Sequence, residues 1–267
     1  MARPATEVTA GIDRRWVEDQ ARHEPIAHAY ALWDLDHAPD RTEFWTYRSG
    51  GLPTAYLLVW RGIPASPMVH WVGDESALDL LAALPPRPLV AVVPEPLADR
   101  VVGARGPGTV YRTLIMARDV GAGTLRPDGG ARRLVPTDAD EFRRFTATPD
   151  PEIGRGYGGA DLVRLTEAGE SVWGVFDGDR LVGTARTPVH MPAVWLVSGV
   201  VVAATHRNQG LGSAILSALL RAADAEWVRC ALYVRADNAP ALKVYERLGF
   251  VAIARRAWID LGSGRAP

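Results

Sequence analysis

One segment, residues 196–218, limits the possible folds of this chain more than any other. Residues 197–203 are apolar apart from one serine and one glycine, which predicts a buried strand, and apolar side chains recur at helical spacing from Ala214 onward. A short turn with two glycines, residues 207–213, joins these two parts. The order of strand, turn and helix is the basic unit of α/β folds.

The turn has the features of a phosphate-binding loop. The first backbone N–H groups of a helix have no partner within the helix, and the helix dipole adds partial positive charge at the same end. Gly210 and Gly212 allow a ligand to approach the backbone closely. The turn is therefore a candidate site for a diphosphate.

Two common phosphate-binding motifs do not fit this turn. The nucleoside triphosphatase loop needs Gly-Lys-Ser/Thr, but the single lysine, Lys243, is far from any such glycine pair. The dinucleotide motif Gly-x-Gly-x-x-Gly/Ala would place the bulky Ile215 at its third small position. The pattern that remains is Arg-x-x-Gly-x-Gly, formed by Arg207, Gly210 and Gly212.

A second block of strand, turn and helix follows at residues 228–250. Apolar and other residues alternate in its first part, as in a strand. Asn238 and Pro240 mark the start of a helix, and Gly249 marks its end. The chain therefore contains two strand–turn–helix blocks in sequence.

Together the two blocks resemble the GNAT superfamily of acyl-CoA-dependent N-acyltransferases. The motifs that carry the resemblance are Arg207-x-x-Gly210-x-Gly212 and Asn238-x-x-Ala241-x-x-x-Tyr245-Glu246-Arg247-Leu248-Gly249-Phe250. Two motifs in order are much more specific than either alone, and the resemblance covers roughly residues 131–261. It implies an α/β fold with a mixed central sheet flanked by helices, and acetyl-CoA or another short acyl-CoA as co-substrate.

Residue by residue, the resemblance implies an acyl-CoA site. Val200 and Val202 would pair through their backbone with the pantetheine arm, and Asn238 would hydrogen-bond to it. Tyr245 would protonate the coenzyme thiolate as it leaves. The diphosphate would be held by the backbone amides of Arg207, Asn208, Gln209, Gly210, Leu211, Gly212 and Ser213.

These residues also have structural interpretations, which remain open at this point. The turn could be an ordinary connection between a strand and a helix. Tyr245 lies on the apolar face of its helix, where a half-buried core aromatic is common. Asn238 could serve only as a helix cap.

The general base is the weakest part of the prediction. In many relatives a carboxylate on the central strand takes the proton from the attacking amine, but residues 195–202 contain no acid. Ser198 is their only polar side chain, and a hydroxyl can position a water but is a poor base. Glu152, Asp150 and His190 are candidates from other elements, although acidic loops are more often only solvated. The predicted catalytic set is Tyr245, Ser198 and Glu152.

Composition excludes several other classes. The net charge of −1 gives no positive field to attract nucleic acid. The longest mostly apolar run, residues 191–204, is shorter than the roughly 20 residues of a membrane helix. The six histidines and the single Cys230 form no zinc motif, so no metal is expected. We expect a cytoplasmic protein, because the start of the chain lacks a signal-like apolar core. We also expect a monomer or homodimer.

The first half of the chain is predicted to be a degenerate copy of the same fold. The predicted division is a domain at 1–120, a glycine-rich linker at 121–130 and a catalytic domain at 131–267. Upstream, strand-like runs, including one at residues 29–35, alternate with short turns and a helical run at 76–84.

The two predicted copies differ at the phosphate turn. In the first copy the equivalent residues, 73–76, include two carboxylates. At about 4 Å a like-charge pair costs roughly 1 to 4 kcal/mol, more than a helix dipole returns. The first copy is therefore predicted not to bind CoA.

The sequence as a whole predicts an N-acyltransferase that moves an acetyl or other short acyl group from acyl-CoA to a primary amine of a small molecule. Direct attack in a ternary complex is expected, because no cysteine or serine lies in a nucleophile motif. The missing strand carboxylate motivates an alternative, a non-catalytic module for acyl-CoA sensing or assembly. A third possibility is acetylation of a protein N-terminus or lysine.

Overall fold

The computed structural model describes residues 5–62, 66–157, 160–265 and 267. These residues group into two compact units that interleave along the chain. The first unit comprises the residues up to Leu114 together with Arg235–Asp237 and Ala254–Pro267, and the second comprises Ile115–Val234 and Asn238–Ile253. The predicted domain bounds assign residues 254–267 differently, and they stay a prediction.

Runs of strands and of helices follow one another along the described chain, and single helices and strands alternate only after β10. In order, they are β1 (Thr6–Ala10), α1 (Arg14–Ala21), α2 (Pro25–His37), β2 (Thr42–Ser49), β3 (Leu52–Trp60), β4 (Met68–Gly73), β5 (Leu89–Pro94), α3 (Ala98–Arg105), β6 (Thr109–Arg118), β7 (Arg132–Arg133), α4 (Ala139–Thr146), α5 (Pro151–Tyr157), α6 (Leu162–Glu167), β8 (Ser171–Asp177), β9 (Arg180–His190), β10 (Val194–Val202), α7 (Leu211–Ala225), β11 (Arg229–Arg235), α8 (Ala239–Arg247) and β12 (Val251–Leu261).

The first unit is built on a mixed sheet with the strand order β1-β2-β3-β4-β5-β12. Its strand pairs are antiparallel except β4 and β5, which are parallel. Both faces of the sheet are covered, because alternate residues of β3 enter different core clusters. Leu57 belongs to the cluster that contains Val101 of α3, and Leu58 belongs to the one that contains Val17 of α1 and Ala31 of α2.

Two sequence predictions in the first unit were wrong. Residues 29–35, predicted as a strand, lie within α2. A short apolar run does not distinguish a strand from a buried helix, and Pro25 at the first helical position was the signal for a helix. The predicted helix at 76–84 is a 3₁₀ segment, Leu78–Ala83.

The second unit has a mixed sheet with the order β11-β10-β9-β8-β7. Here β10 and β11 are parallel, and the other pairs are antiparallel. Helix α7 packs against β8, β9 and β10. Side chains of α4, α5 and α6 form a core cluster with Val172 of β8 and Leu181 of β9. The predicted α/β class, with a mixed sheet flanked by helices, is confirmed.

The buried Arg118 holds α7 and α8 in place. These are the two helices that the sequence motifs assign to the acyl-CoA site. Arg118 is 1% exposed, and its guanidinium donates to both carboxylate oxygens of Asp224 in α7, at 2.7 and 2.9 Å. Its Nε donates to the carbonyl oxygen of Leu248 after α8, at 2.9 Å, and to that of Ala122, at 3.0 Å. The Gly121 amide also donates to Asp224, so the segment after β6 is attached to both helices.

Replacement of Asp224 by asparagine is expected to lower the free energy of unfolding by about 3–5 kcal/mol, because the buried Arg118 would lose its counter-ion. Burial alone would raise the pKa of Asp224, but hydrogen bonds from Arg118 and the Gly121 amide lower it below its usual value. Urea unfolding measures the effect. The control is Asp140→Asn, which removes an exposed pair with Arg143 and should cost under about 1 kcal/mol. Equal losses for the two variants would contradict the expectation.

Candidate functional site

The parallel strands β10 and β11 separate after a short pairing. Their ladder covers residues 194–197 of β10 and 229–232 of β11. The pairing of β10 with β9 becomes irregular at the same level, with register shifts on both sides of Ser198. Gly199 has a φ of +58°, which is typical of a β-bulge. The strands therefore diverge at their carboxyl ends, where α/β sheets bind ligands.

The predicted pantetheine-binding residues lie beyond this bulge. Val200 and Val202 are both partly exposed on the diverging part of β10. Val202 is paired with Gly183 of β9, and its carbonyl oxygen accepts a hydrogen bond of 3.0 Å from Nε of Arg207. Ser198 lies at the bulge itself. The roles of these residues toward a ligand stay predictions.

The turn before α7 collects backbone N–H groups. Asn208 and Gly210 have φ values of +63° and +81°, and α7 begins at Leu211. In the part of the chain that the structure describes, the amides of residues 208–213 have no hydrogen-bond acceptor. Helix α7 also has no capping side chain and no acidic residue in its first turn. This end of α7 therefore presents unsatisfied donors and an uncompensated helix dipole.

The side chain of Arg207 is directed to carboxylates and not into the turn. Its Nη2 lies 2.5 Å from Asp150 and 3.2 Å from Glu152, at the start of α5. Asp150 also caps this helix by accepting from the Glu152 amide. Arg207 thus attaches the end of β10 to α5. Sequence reasoning missed this pairing because the partners are more than 50 positions apart, and the role of Glu152 as a base stays a prediction.

The predicted proton donor lies on α8. The ring of Tyr245 packs against Phe250 with a centroid distance of 5.8 Å, and burial raises the pKa of its phenol to about 12. The phenol therefore carries its proton throughout the neutral range. Asn238 caps α8, since its side-chain oxygen accepts from the Ala241 amide at 3.2 Å. Asn238 is exposed, so its NH₂ group is accessible to a ligand.

His190 is far from the bulge. It pairs with Trp195 at the start of β10, and the two rings meet edge to face at 4.1 Å. Ser198 is three positions after Trp195, which corresponds to about 10 Å along a strand. Burial lowers the pKa of His190, so the imidazole is neutral at pH 7. Its position does not favour it as the base for chemistry at the bulge.

In the first unit, the opening between the parallel strands β4 and β5 carries different side chains from the opening between β10 and β11. Strands β4 and β5 pair over residues 68–70 and 90–92, and a cavity of about 700 Å³ lies where they separate. Its lining contains three glutamates and two arginines: Glu24, Glu75, Glu95, Arg255 and Arg256. The turn after β4 is closed by Asp74, which accepts from the Ser76 amide, and leads into a 3₁₀ segment. That the first half of the chain does not bind CoA stays a prediction.

The described residues contain neither a candidate metal cluster nor a candidate membrane-spanning helix. Among these residues, no group of three or more histidine, cysteine, aspartate or glutamate side chains could hold a metal ion. Within the same residues, no helix is long and apolar enough to cross a membrane.

Comparison with known proteins agrees with the class of protein that this geometry defines. Residues 138–250 match the sequence model of the Acetyltransferase (GNAT) family. This match covers the phosphate turn, α7 and α8. The matched part of the chain is therefore similar to the GNAT N-acetyltransferases, a family that implies an acyl-CoA as co-substrate, and the resemblance inferred from the sequence motifs is confirmed.

Curated relatives match part of the chain. A mycothiol acetyltransferase of Corynebacterium efficiens is 35% identical over 106 residues, which are 37% of this chain and 36% of that protein. One from Actinosynnema mirum is 34% identical over 140 residues, 46% of this chain and 45% of that protein. The matches therefore span between a third and a half of the length of these relatives.

Solved structures match nearly the whole chain in fold. A tandem GNAT protein from the clavulanic acid biosynthesis pathway has a TM-score of 0.57 at 16% identity, covering 96% of this chain and 97% of its own. A Drosophila protein has a TM-score of 0.63 at 18% identity, covering 92% and 86%. A GCN5-related N-acetyltransferase from Kribbella flavida has a TM-score of 0.56 at 18% identity, covering 89% and 96%. These likenesses concern the fold alone.

Proposed function

We propose that the protein transfers an acetyl group, or another short acyl group, from acyl-CoA to a primary amine of a small molecule. The observation that carries the proposal is the row of unsatisfied amides at residues 208–213, beside the bulge of β10, within the part of the chain that matches the GNAT family. The names of the curated relatives, mycothiol acetyltransferases, support a small-molecule acceptor.

The donor would lie across the opening between β10 and β11. Its diphosphate would accept hydrogen bonds from the turn amides and lie at the positive end of α7. Its pantetheine arm would pair with the backbone of Val200 and Val202 as an added strand, with Asn238 as a further donor. This arrangement places the thioester toward the bulge at Ser198 and Gly199.

The transfer would proceed by direct attack. The amine nitrogen forms a bond to the thioester carbonyl carbon and loses its proton to a base or to water positioned near Ser198. The carbon–sulfur bond then breaks, and the sulfur takes a proton from the Tyr245 hydroxyl, which solvent later restores. Because burial raises the pKa of Tyr245 to about 12, above the roughly 8.5 of an ordinary thiol, donation must be assisted by the proton released from the amine.

A covalent route through the protein is not supported. The single cysteine, Cys230, is buried in β11, and burial raises the pKa of its thiol to about 12. The reactive form of a cysteine nucleophile is the thiolate, which a raised pKa disfavours. Direct transfer in a ternary complex therefore remains the proposed mechanism.

Release of free CoA thiol from acetyl-CoA tests the proposal. We expect steady release that depends on an added primary amine from a panel of small molecules, with a stoichiometric amide product by mass spectrometry. Peptides with a free N-terminus or lysine serve as the comparison. Tight binding of acetyl-CoA without turnover on any amine would favour the sensing or assembly module, and turnover only on peptides would favour a protein acetyltransferase.

A further inference from the structure

We propose that Arg126 is a diphosphate-binding residue of this protein, in addition to the backbone amides of the turn. The inference rests on the proposed function, because it assigns a residue of the same acyl-CoA site. Arg126 lies in the irregular segment between β6 and β7, which carries no part of either sequence motif. Its Nη1 atom lies 2.8 Å from the point that a Cβ on Gly210 would occupy, directly beside the N-terminal end of α7.

The position of Arg126 is fixed by α7 itself. Its amide donates to the hydroxyl of the fully buried Ser217 at 3.0 Å. Its carbonyl oxygen accepts from Arg221, one turn further along the helix. The backbone of residue 126 is therefore attached to the middle of α7, and the side chain extends back along the helix to Gly210.

The Arg126 guanidinium forms no ion pair with the part of the chain that the structure describes. Among the described residues, no carboxylate lies within ion-pair distance of the Arg126 guanidinium, whereas Arg221 has Asp128 at 3.9 Å. A cation at the N-terminal end of a helix opposes the dipole, which favours anions there. The first turn of α7 supplies no acidic residue to offset it. Arg126 is exposed, so water solvates its guanidinium in the free protein, and the guanidinium and the free amides together favour an anion bound between them.

A diphosphate fits this arrangement better than a single charge. An arginine fork can donate two parallel hydrogen bonds to a phosphate group, while the amides of residues 208–213 satisfy the remaining oxygens. Gly210 has a positive φ, and any side chain at this position would meet Nη1 of Arg126. The glycine therefore keeps the space between the guanidinium and the turn amides open. Arg126 would thus add a side-chain donor to the phosphate beside the amides of the backbone turn.

The decisive experiment compares Arg126→Gln with the wild type in direct binding of acetyl-CoA by calorimetry. Loss of one charge-assisted hydrogen-bond pair is expected to raise Kd about 10- to 100-fold. Arg126→Lys should recover part of the affinity, because it keeps the charge but not the fork. The control is Arg143→Gln, an exposed arginine of α4 paired with Asp140, which should bind as the wild type does.

Two donor analogues identify the contact. Dephospho-CoA lacks the 3′-phosphate, and Arg126→Gln should still bind it more weakly than the wild type does. Equal affinities of the two proteins for dephospho-CoA would overturn the diphosphate assignment. With acetyl-pantetheine, kcat/KM should be the same in the variant and the wild type, since no diphosphate is present. Wild-type affinity in Arg126→Gln would refute this inference alone, whereas a wild type that does not bind acetyl-CoA would refute the proposed function.

Discussion

Replacement of Gly212 by aspartate is expected to weaken acetyl-CoA binding about 100-fold and to leave the fold intact. Residue 212 is the second residue of α7, and a Cβ there would meet only a methyl group of Val202, at 3.9 Å. A carboxylate at a helix N-terminus stabilises the helix by about 0.3–1 kcal/mol. The same carboxylate would repel a diphosphate by about 2–4 kcal/mol, or about 30- to 700-fold in Kd.

Gly212→Asn is the matched control, because asparagine has the shape of aspartate without its charge. The affinities are measured by calorimetry, and the stabilities by thermal unfolding. If asparagine weakens binding as much as aspartate does, size and not charge is responsible, and the argument for a diphosphate at this turn fails. If neither substitution has an effect, the coenzyme does not bind at the turn.

Replacement of Tyr245 by phenylalanine is expected to lower kcat about 100-fold, at the lower end of the range for general acid–base catalysis. KM for acetyl-CoA should change little, because the hydroxyl is needed when the carbon–sulfur bond breaks. The ring contact with Phe250 is retained in the variant, so stability should be preserved. Steady-state kinetics with a saturating amine measures the effect, and Tyr47→Phe, a buried tyrosine of β2, is the control.

The pH profile adds an independent check on Tyr245. Burial raises the pKa of its phenol to about 12, so the proton donor remains protonated as the pH rises through the neutral and mildly alkaline range. Deprotonation of Tyr245 should therefore not lower kcat between about pH 8 and 10. Any fall in kcat in this range should be the same in the wild type and in Tyr245→Phe. An unchanged kcat in the variant would remove Tyr245 from the mechanism.

The two strand–turn–helix blocks of the second unit were predictable because their signals are local. An apolar run, a turn with glycines and a helical period predicted β10, the turn and α7 within a few residues. Asn238 and Pro240 predicted the start of α8 in the same way. The first unit was predicted less well, since α2 is an apolar run whose helical period is weak.

The surroundings of the site were not predictable in the same way. The pairing of Arg207 with Asp150, and the position of Arg126 beside Gly210, join residues that are 57 and 84 positions apart. Nothing in the local pattern of a charged residue specifies which distant residue it meets. The bulge at Ser198 was also missed, because the strand pattern alone does not specify its register with β9.

The sequence by itself determined the resemblance of residues 138–250 to the GNAT family, the α/β class, and the glycine-containing turn that leads into α7. Backbone propensity, capping and apolar period act over a few residues, so they can be read without knowing the fold. The tertiary structure alone decided how the chain interleaves its two units, which carboxylates hold Arg207, and where Arg126 lies. These depend on the path of the whole backbone, because electrostatic partners are set by distance in space and not along the chain.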